Sequence, residues 1–183
     1  PIVAQIWGNK PELYLKAGEL LSEMGFDGTD INMGCPVSKV VRRGQCAGLI
    51  DNPSLAAELI AALREGCGGL PISVKTRLGV KLRKTESWFS FLLAQNLEAI
   101  TVHGRTAKDL SQVPADWNEI AKVVEMRNQL ASPTLIIGNG DINSRADLEM
   151  KVAETKVDGV MVGRGIFHNY FIFAPNKRSF AEL

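Results

Sequence analysis

Residues 134–141 have the sequence Thr-Leu-Ile-Ile-Gly-Asn-Gly-Asp, and residues 159–165 have the sequence Gly-Val-Met-Val-Gly-Arg-Gly. Each stretch predicts a short apolar β-strand that ends in a glycine-rich turn. Glycine lets backbone N–H groups approach an anion closely, and a following helix N-terminus adds its dipole. One such turn alone is more often a simple tight turn. Two turns at the same end of consecutive strands favour a phosphate site.

Short apolar segments alternate with helical patterns along the whole chain. The predicted strands are residues 2–6, 28–33, 72–77, 99–103, 134–138 and 159–163. Several are nearly continuous in apolar residues, which is typical of parallel strands buried on both faces. Helices are predicted after Pro11 and Pro53, from about Thr85, and after Trp117. The last begins near Ser144, where Asp147 completes a capping-box pattern.

This alternation predicts an α/β fold with a parallel sheet, and two architectures are compatible with it. A doubly wound sheet places polar residues at one switch point, whereas a (β/α)₈ barrel collects all strand ends at one mouth. Nearly every predicted strand here ends in polar or glycine residues, which favours the TIM barrel. Such a barrel takes about 250 residues. We therefore expect about six of the eight βα units, with the first two strands lying upstream of these 183 residues.

Composition excludes several classes of protein. The chain is 45% hydrophobic and 22% charged with a formal net charge of +1, so a strongly basic nucleic-acid module is excluded while a local basic patch is not. No apolar run approaches the roughly 18–20 residues of a membrane span, and nothing suggests a secretion signal. Three cysteines without a CxxC motif argue against a disulfide framework and for a reducing, cytoplasmic location. Two histidines without paired Cys/His spacing argue against a metal site.

The polar residues at the strand ends are the candidates for chemistry. Cys35 lies between Gly34 and Pro36 just past a strand, where it could act as a nucleophile or as a general acid. Lys75 and Arg77 alternate with Val74 and Thr76, so both point to one side of their strand, where a lysine is costly unless it is paired or faces a ligand. We treat the remaining cysteines as small buried residues.

Basic residues cluster in the loops beside Cys35. Lys39, Arg42 and Arg43 follow the cysteine, and Arg105 and Lys108 follow His103. These side chains either form an ordinary solvated surface or make the first contacts with a polyanion at the mouth of the barrel.

Several ordered motifs extend this interpretation, namely residues 30–36, 39–40, 73–77, 101–106, 115–117, 137–142 and 158–165. Together they resemble the tRNA-dihydrouridine synthases, with the bacterial type B enzymes as the most similar branch. The resemblance implies an FMN-binding barrel that uses NADPH to reduce uridine in tRNA. In that family two more strands begin the barrel and a helical domain follows it. We assign residues 1–175 to a partial catalytic barrel and residues 176–183 to a frayed or foreign tail.

The resemblance also implies roles for individual residues. Contacts with the flavin ring or ribityl chain are implied for Gln5, Lys75 and His103. Contacts with the ribityl chain and phosphate are implied for Asn139, Gly140, Asp141, Gly163 and Arg164. Cys35 becomes the proton donor, Asn32 and Arg77 contact the target base, and Lys39, Arg42 and Arg43 contact the tRNA.

The implied chemistry suits these residues, because reduction of the uracil C5–C6 bond needs a hydride at one carbon and a proton at the other. A thiol with a pKa of about 8.5 carries its proton at neutral pH. The alternative function is an FMN barrel oxidoreductase for a small dihydropyrimidine or dihydroorotate, which would not need the basic loop after Cys35. A second alternative is a barrel that binds RNA without catalysis.

Overall fold

A computed structural model describes residues 1–174 of the chain. The predicted tail, residues 176–183, lies outside the described residues. Six parallel strands form one sheet in the order in which they occur in the sequence. They are β1 (Val3–Ile6), β2 (Gly28–Met33), β3 (Ile72–Arg77), β4 (Ala99–His103), β5 (Leu135–Asn139) and β6 (Gly159–Met161).

The strand order distinguishes between the two predicted architectures. A doubly wound sheet reverses its strand order at a switch point, whereas β1 to β6 follow one another without reversal. The sheet is therefore an arc of a (β/α)₈ barrel, as the polar strand ends predict. Among residues 1–174, β1 and β6 do not pair with each other.

Helices connect the strands on one face of the sheet. They are α1 (Pro11–Glu23), α2 (Ser38–Val41), α3 (Pro53–Cys67), α4 (Thr85–Leu93), α5 (Trp117–Gln129) and α6 (Arg145–Thr155). Prolines occupy the first turns of α1 and α3, as predicted. The capping box predicted at Ser144 and Asp147 is present, and Asp116 caps α5 by accepting from two backbone N–H groups.

Three short helical segments are not predicted by the sequence pattern, because each is too short to show a 3.6-residue period. α2 follows Pro36, and a 3₁₀ helix covers Cys46–Asp51. Another covers Arg164–Phe167. The second segment is fixed by burial, because Leu49 and Ile50 are almost completely excluded from solvent.

The two faces of the sheet have different chemistry. One face packs its apolar residues, such as Ile31, Val74 and Ile100, against the helices with no exposed surface. The opposite face carries polar side chains at alternate positions, and Ser73 and Lys75 on β3 are only partly buried. The predicted burial is therefore confirmed on the face that the helices cover. On the opposite face, side chains such as Lys75 are only partly buried.

No single helix among residues 1–174 is both long and apolar enough to cross a membrane. One pair of segments, Ser38–Asp51 and Pro53–Cys67, meets those requirements only when the two are combined, and the pair is bent by 90°. Much of the second segment is buried in the core, including Leu59, Ile60 and Leu63.

The open sheet leads to a prediction about residues 1–174 expressed alone. Val3 on the edge strand is 52% exposed and Trp7 beyond it is 59% exposed, so apolar surface borders unpaired backbone groups. We expect this fragment to self-associate in light scattering, and we expect Val3→Lys to reduce the association. A soluble monomer that melts cooperatively would contradict the prediction.

Candidate active site

The carboxyl ends of the strands meet at one mouth, and the register aligns their polar residues. Asn32 lies opposite Lys75, and Arg77 lies opposite His103. His103 in turn lies opposite Asn139. A cavity of about 550 Å³ opens here, and the predicted residues that line it are Lys75, Arg77, His103, Asn139, Gly140, Asp141, Gly163 and Arg164. The structure thus brings together every predicted cofactor residue except Gln5.

Gln5 belongs to a hydrogen-bonded chain across β1, β2 and β3 beside this cavity. Its Nε2 donates to Asp30 Oδ2 (2.7 Å), and its Oε1 accepts from Asn32 Nδ2 (3.0 Å). Asp30 Oδ1 accepts from Ser73 Oγ at 2.6 Å. Burial raises the pKa of Asp30, while the bonds from Ser73 and Gln5 oppose that rise. This chain fixes the orientation of Asn32.

Asn32 in turn shapes the loop that carries Cys35. Its Oδ1 accepts from the backbone N–H of Gly34 (3.0 Å) and from that of Cys35 (2.9 Å). Arg77 holds the same loop from the other side, because its Nε donates to Gly34 O at 2.8 Å. The half-exposed thiol of Cys35 is therefore carried by a loop fixed on both sides.

The two other cysteines are buried, as predicted. Cys67 Sγ lies 3.7 Å from Thr29 Oγ1. Cys46 lies close to Cys35, because the backbone N–H of its neighbour Ala47 donates to Cys35 O at 3.3 Å. The pKa of Cys46 is raised to about 12. Burial is the main cause, and the charge of Cys35 and a hydrogen bond with it add to the rise. Cys46 thus stays a protonated thiol near neutral pH.

Arg77 is buried and all three of its identified hydrogen bonds go to backbone carbonyls. Besides Gly34, it donates through Nη1 to Thr106 O (3.1 Å) and Leu110 O (3.2 Å). Burial lowers the pKa of Arg77, and the neighbouring charge of Arg105 lowers it further. Arg77 thus joins the Cys35 loop to the loop after β4 and forms part of the cavity wall.

Lys75 differs from Arg77 in having no hydrogen-bond or ion-pair partner among residues 1–174. Burial lowers the pKa of its ammonium, the charge of Arg77 lowers it further, and Asp30 opposes both. A partly buried, unpaired ammonium group on a cavity wall is costly unless a ligand supplies the missing partner. Lys75 therefore marks a place for an electron-rich group.

Arg105 is the residue whose role the sequence analysis missed. It was grouped with the surface cations, yet it is only 4% exposed and donates to both carboxylate oxygens of Asp141 at 2.7 Å. Burial alone would raise the pKa of Asp141, but the bonds from Ala115 and Arg105 hold it below its usual value. The available signal was the position of Arg105, two residues beyond His103 at a strand end.

The Arg105 guanidinium also determines the tautomer of His103. Arg105 Nη1 lies 3.2 Å from His103 Nε2, and a guanidinium can only donate. His103 Nε2 therefore accepts, which assigns the imidazole proton to Nδ1. Burial, reinforced by the charges of Arg77, Lys75 and Arg105, lowers the pKa of His103 to about 3.

The glycine turns leave room for a phosphorylated ligand. A Cβ atom on Gly163 would meet nothing within 4 Å, so the turn borders open space. Gly140 has a φ of 129°, and a Cβ there would lie 2.6 Å from Ala115 Cβ, so only glycine fits. Together with the unpaired Lys75 and with Arg164, these turns fit a polar cofactor that carries a phosphate.

The predicted tRNA residues Lys39, Arg42 and Arg43 lie outside this cavity. All three are exposed on or just after α2, next to the Cys35 loop. A larger cavity of about 980 Å³ lies near the start of α5, and there the cation Arg83 is paired with Asp116 at 2.8 Å. Among residues 1–174, no group of three or more His, Cys, Asp or Glu residues lies close enough to hold a metal ion.

The state of His103 gives a prediction about pH. Its pKa of about 3 is below the 6.5 of a free imidazole, so the folded protein keeps it neutral between pH 4 and 8. The unfolded chain gains this proton as the pH falls through about 6.5, so His103 contributes to a loss of stability between pH 6.5 and 3. We expect the His103 ring signals not to titrate in NMR between pH 5 and 8. A midpoint near 6.5 would refute the buried, Arg105-bonded imidazole.

Comparison with known proteins identifies the family of the chain. The family model described as "Dihydrouridine synthase (Dus)" matches residues 1–182. The chain is 43% identical over 179 residues to a "Probable tRNA-dihydrouridine synthase" of Staphylococcus aureus strain Mu50, covering 97% of this chain and 54% of that protein. It is 46% identical over 187 residues to "Probable tRNA-dihydrouridine synthase 2" of Bacillus subtilis, covering 100% and 57%. The chain spans about half the length of these curated relatives.

Solved structures support the fold. DHODH from Eimeria tenella, solved with ferulenol, aligns with a TM-score of 0.63 at 14% identity over 87% of this chain and 50% of that one. Type I 3-dehydroquinate dehydratase from Clostridium difficile aligns with a TM-score of 0.60 at 14% identity over 95% and 70%. At such identities the similarity concerns the fold alone. The match of the family model over nearly the whole sequence, together with the curated relatives, shows that the chain belongs to the dihydrouridine synthase (Dus) family.

Proposed function

We propose that the protein takes part in the flavin-dependent reduction of specific uridines in tRNA to 5,6-dihydrouridine. One observation carries the proposal beyond family membership. The unpaired Lys75 lines the same polar cavity as the two glycine turns, and the adjoining strand β2 leads directly into the loop of Cys35. We propose FMN as the flavin, NADPH as the reductant, tRNA as the substrate and the cytoplasm as the location.

The cavity residues divide into two groups around such a cofactor. When bound, FMN that NADPH has reduced supplies a hydride from N5 to one carbon of the uracil C5–C6 bond. Lys75 stabilises negative charge on the ring system, and His103 offers Nδ1–H as a neutral donor. The backbone of the glycine turns and the Arg164 side chain hold the ribityl chain and phosphate, together with Asn139 and Asp141.

Cys35 donates the proton to the other carbon of that bond. The loop around it is fixed by Asn32 and Arg77, so the thiol is positioned before the substrate arrives. Arg77 is fixed beneath the same loop, because its Nε donates to Gly34 O at 2.8 Å. Among residues 1–174, Arg77 Nη2 has no identified hydrogen-bond partner, and we assign it to the uracil base together with Asn32.

Gln5 acts indirectly in this arrangement. Both ends of its amide are engaged, with Asp30 and with Asn32. It therefore orients Asn32 beneath the Cys35 loop, and a contact with the flavin would come from the remaining N–H of its Nε2.

Replacement of Lys75 by Met tests the cofactor site. The change keeps the length of the side chain but removes the charge that lacks a protein partner, so we expect weaker FMN retention and a lower flavin reduction potential. Flavin content per protein and spectroelectrochemical titration measure the two effects. Lys10→Met, at an exposed position before α1, is the matched control. Unchanged content and potential in Lys75→Met would refute the assignment.

Replacement of Cys35 by Ala tests the proposed acid. Because Cys35 acts after flavin reduction, bleaching of the flavin by NADPH should remain nearly intact, while reoxidation by tRNA should slow by roughly 10²–10⁴-fold. Stopped-flow absorbance separates the two half-reactions, and free uracil in place of tRNA tests the small-substrate alternative.

Cys67→Ala is the control, because Cys67 is buried beside Thr29 away from the cavity. It should cost only modest stability and leave both half-reactions unchanged. If Cys35→Ala reoxidises with tRNA at the rate of the unmodified protein, Cys35 is not the acid. Failure of bleaching would instead show that Cys35 builds the flavin site.

A further inference from the structure

A groove of about 730 Å³ lies beside the Cys35 loop and shares no lining residue with the cofactor cavity. Its floor is apolar and includes Val80 and Ala107, which are 9% and 5% exposed. Val41 of α2 forms one wall, and Leu110 forms part of the other. Nothing in the proposed flavin chemistry uses this groove.

The rim of the groove is positively charged. Arg42, Lys81 and Lys108 line it with exposed side chains, and no acidic residue is among the described lining residues. These three cations form no ion pair with any residue between 1 and 174. The nearby carboxylate of Asp109 is engaged by Thr106, whose N–H and Oγ1 both donate to it. Lys108 and Asp109 attract each other, but the three cations outnumber this carboxylate, so the groove combines an apolar floor with a rim of net positive charge.

The floor is rigid because two loops are joined by backbone hydrogen bonds. Ala107 N donates to Gly79 O, and Lys108 N donates to Val80 O, both at 2.9 Å. These bonds fix the spacing between Lys81 and Lys108 before any ligand binds. A preformed site of this kind binds without a cost for ordering the loops.

The groove is also continuous with the Cys35 loop. Pro36, the residue after Cys35, lines it. Arg77 separates it from the cofactor cavity, since Arg77 donates both to Gly34 O and to Leu110 O. A polynucleotide with one base at Cys35 would therefore meet this groove with its next nucleotide.

We infer that the groove binds an unpaired RNA nucleotide next to the reactive uridine, with the base on the Val80–Ala107 floor and the flanking phosphates on Lys81 and Lys108. This inference rests on the proposed function and assigns a second contact site to the same substrate. Proteins usually recognise single-stranded RNA in this way: unstacked bases pack against apolar side chains, and phosphates bind exposed cations. The charge of the rim selects RNA over an apolar peptide.

The test measures binding of an unmodified tRNA transcript to the flavin-loaded protein at several salt concentrations. Removal of two phosphate contacts in Lys81→Ala/Lys108→Ala should lower the slope of log Kd against log salt by about 1–2. Affinity should fall roughly 10- to 30-fold near about 0.1 M salt and converge at about 1 M. Lys10→Ala/Lys16→Ala removes the same charge from exposed positions at α1 and should change neither quantity.

A second variant tests the apolar floor and wall separately. Leu110 has a φ of 52°, a conformation that asparagine tolerates, so Leu110→Asn should fold normally. We expect it to weaken tRNA binding several-fold without changing the salt slope. Unchanged affinity in Leu110→Asn would overturn the placement of a base against the apolar surface of the groove.

The outcomes separate this inference from the proposed function. If the protein reduces tRNA uridine while the lysine variant keeps the original Kd and slope, the groove assignment is wrong and the proposed function stands. If the lysine variant raises the KM for NADPH and leaves tRNA binding unchanged, the groove binds the dinucleotide and the inference fails. If the unmodified protein neither binds nor reduces tRNA, the proposed function fails and the inference fails with it.

Discussion

The buried guanidinium of Arg77 is the interaction on which the site depends. It bonds to three backbone carbonyls, Gly34 on one loop and Thr106 and Leu110 on another. A buried charge of this kind is costly unless hydrogen bonds hold it, and removal of the guanidinium would deprive those three carbonyls of their donor. Since both loops are fixed to one planar group, the position of Cys35 and the shape of the neighbouring groove are set together.

The parallel register explains how distant segments supply one site. Every strand runs in the same direction, so polar residues of neighbouring strands lie at the same level. Examples are the pair Asn32 and Lys75 and the pair Arg77 and His103. Side chains on the helix-covered face hold this register by burial. A shift of the register by one residue would move the polar side chains of the site into the apolar core. The same register therefore determines both the stability of the core and the geometry of the site.

Periodicity and strand-end chemistry predicted the strands, the principal helices and the location of the cavity. Those features are local, because alternation and capping depend on neighbouring residues, as at Ser144 and Asp147. The roles of Arg105 and Gln5 depend on contacts across the sheet, to Asp141 and Asp30. The strand-end position of Arg105 marks it as a candidate, but its pairing with a carboxylate 36 residues away appears only in the folded chain. The short α2 helix escaped prediction because its four residues cannot show a period.

The positive charges around the cavity are not equivalent. The charge of Arg105 is neutralised by Asp141, and Arg77 is held by carbonyls, so neither can follow a changing ligand. Lys75 has no such partner among the described residues, and His103 stays neutral and does not compete for an anion. A flexible ammonium beside fixed dipoles can respond to charge that develops during a reaction, whereas the fixed groups keep the loops in place. This division between structural and available charge is what suits the polar mouth to the anionic flavin that we propose.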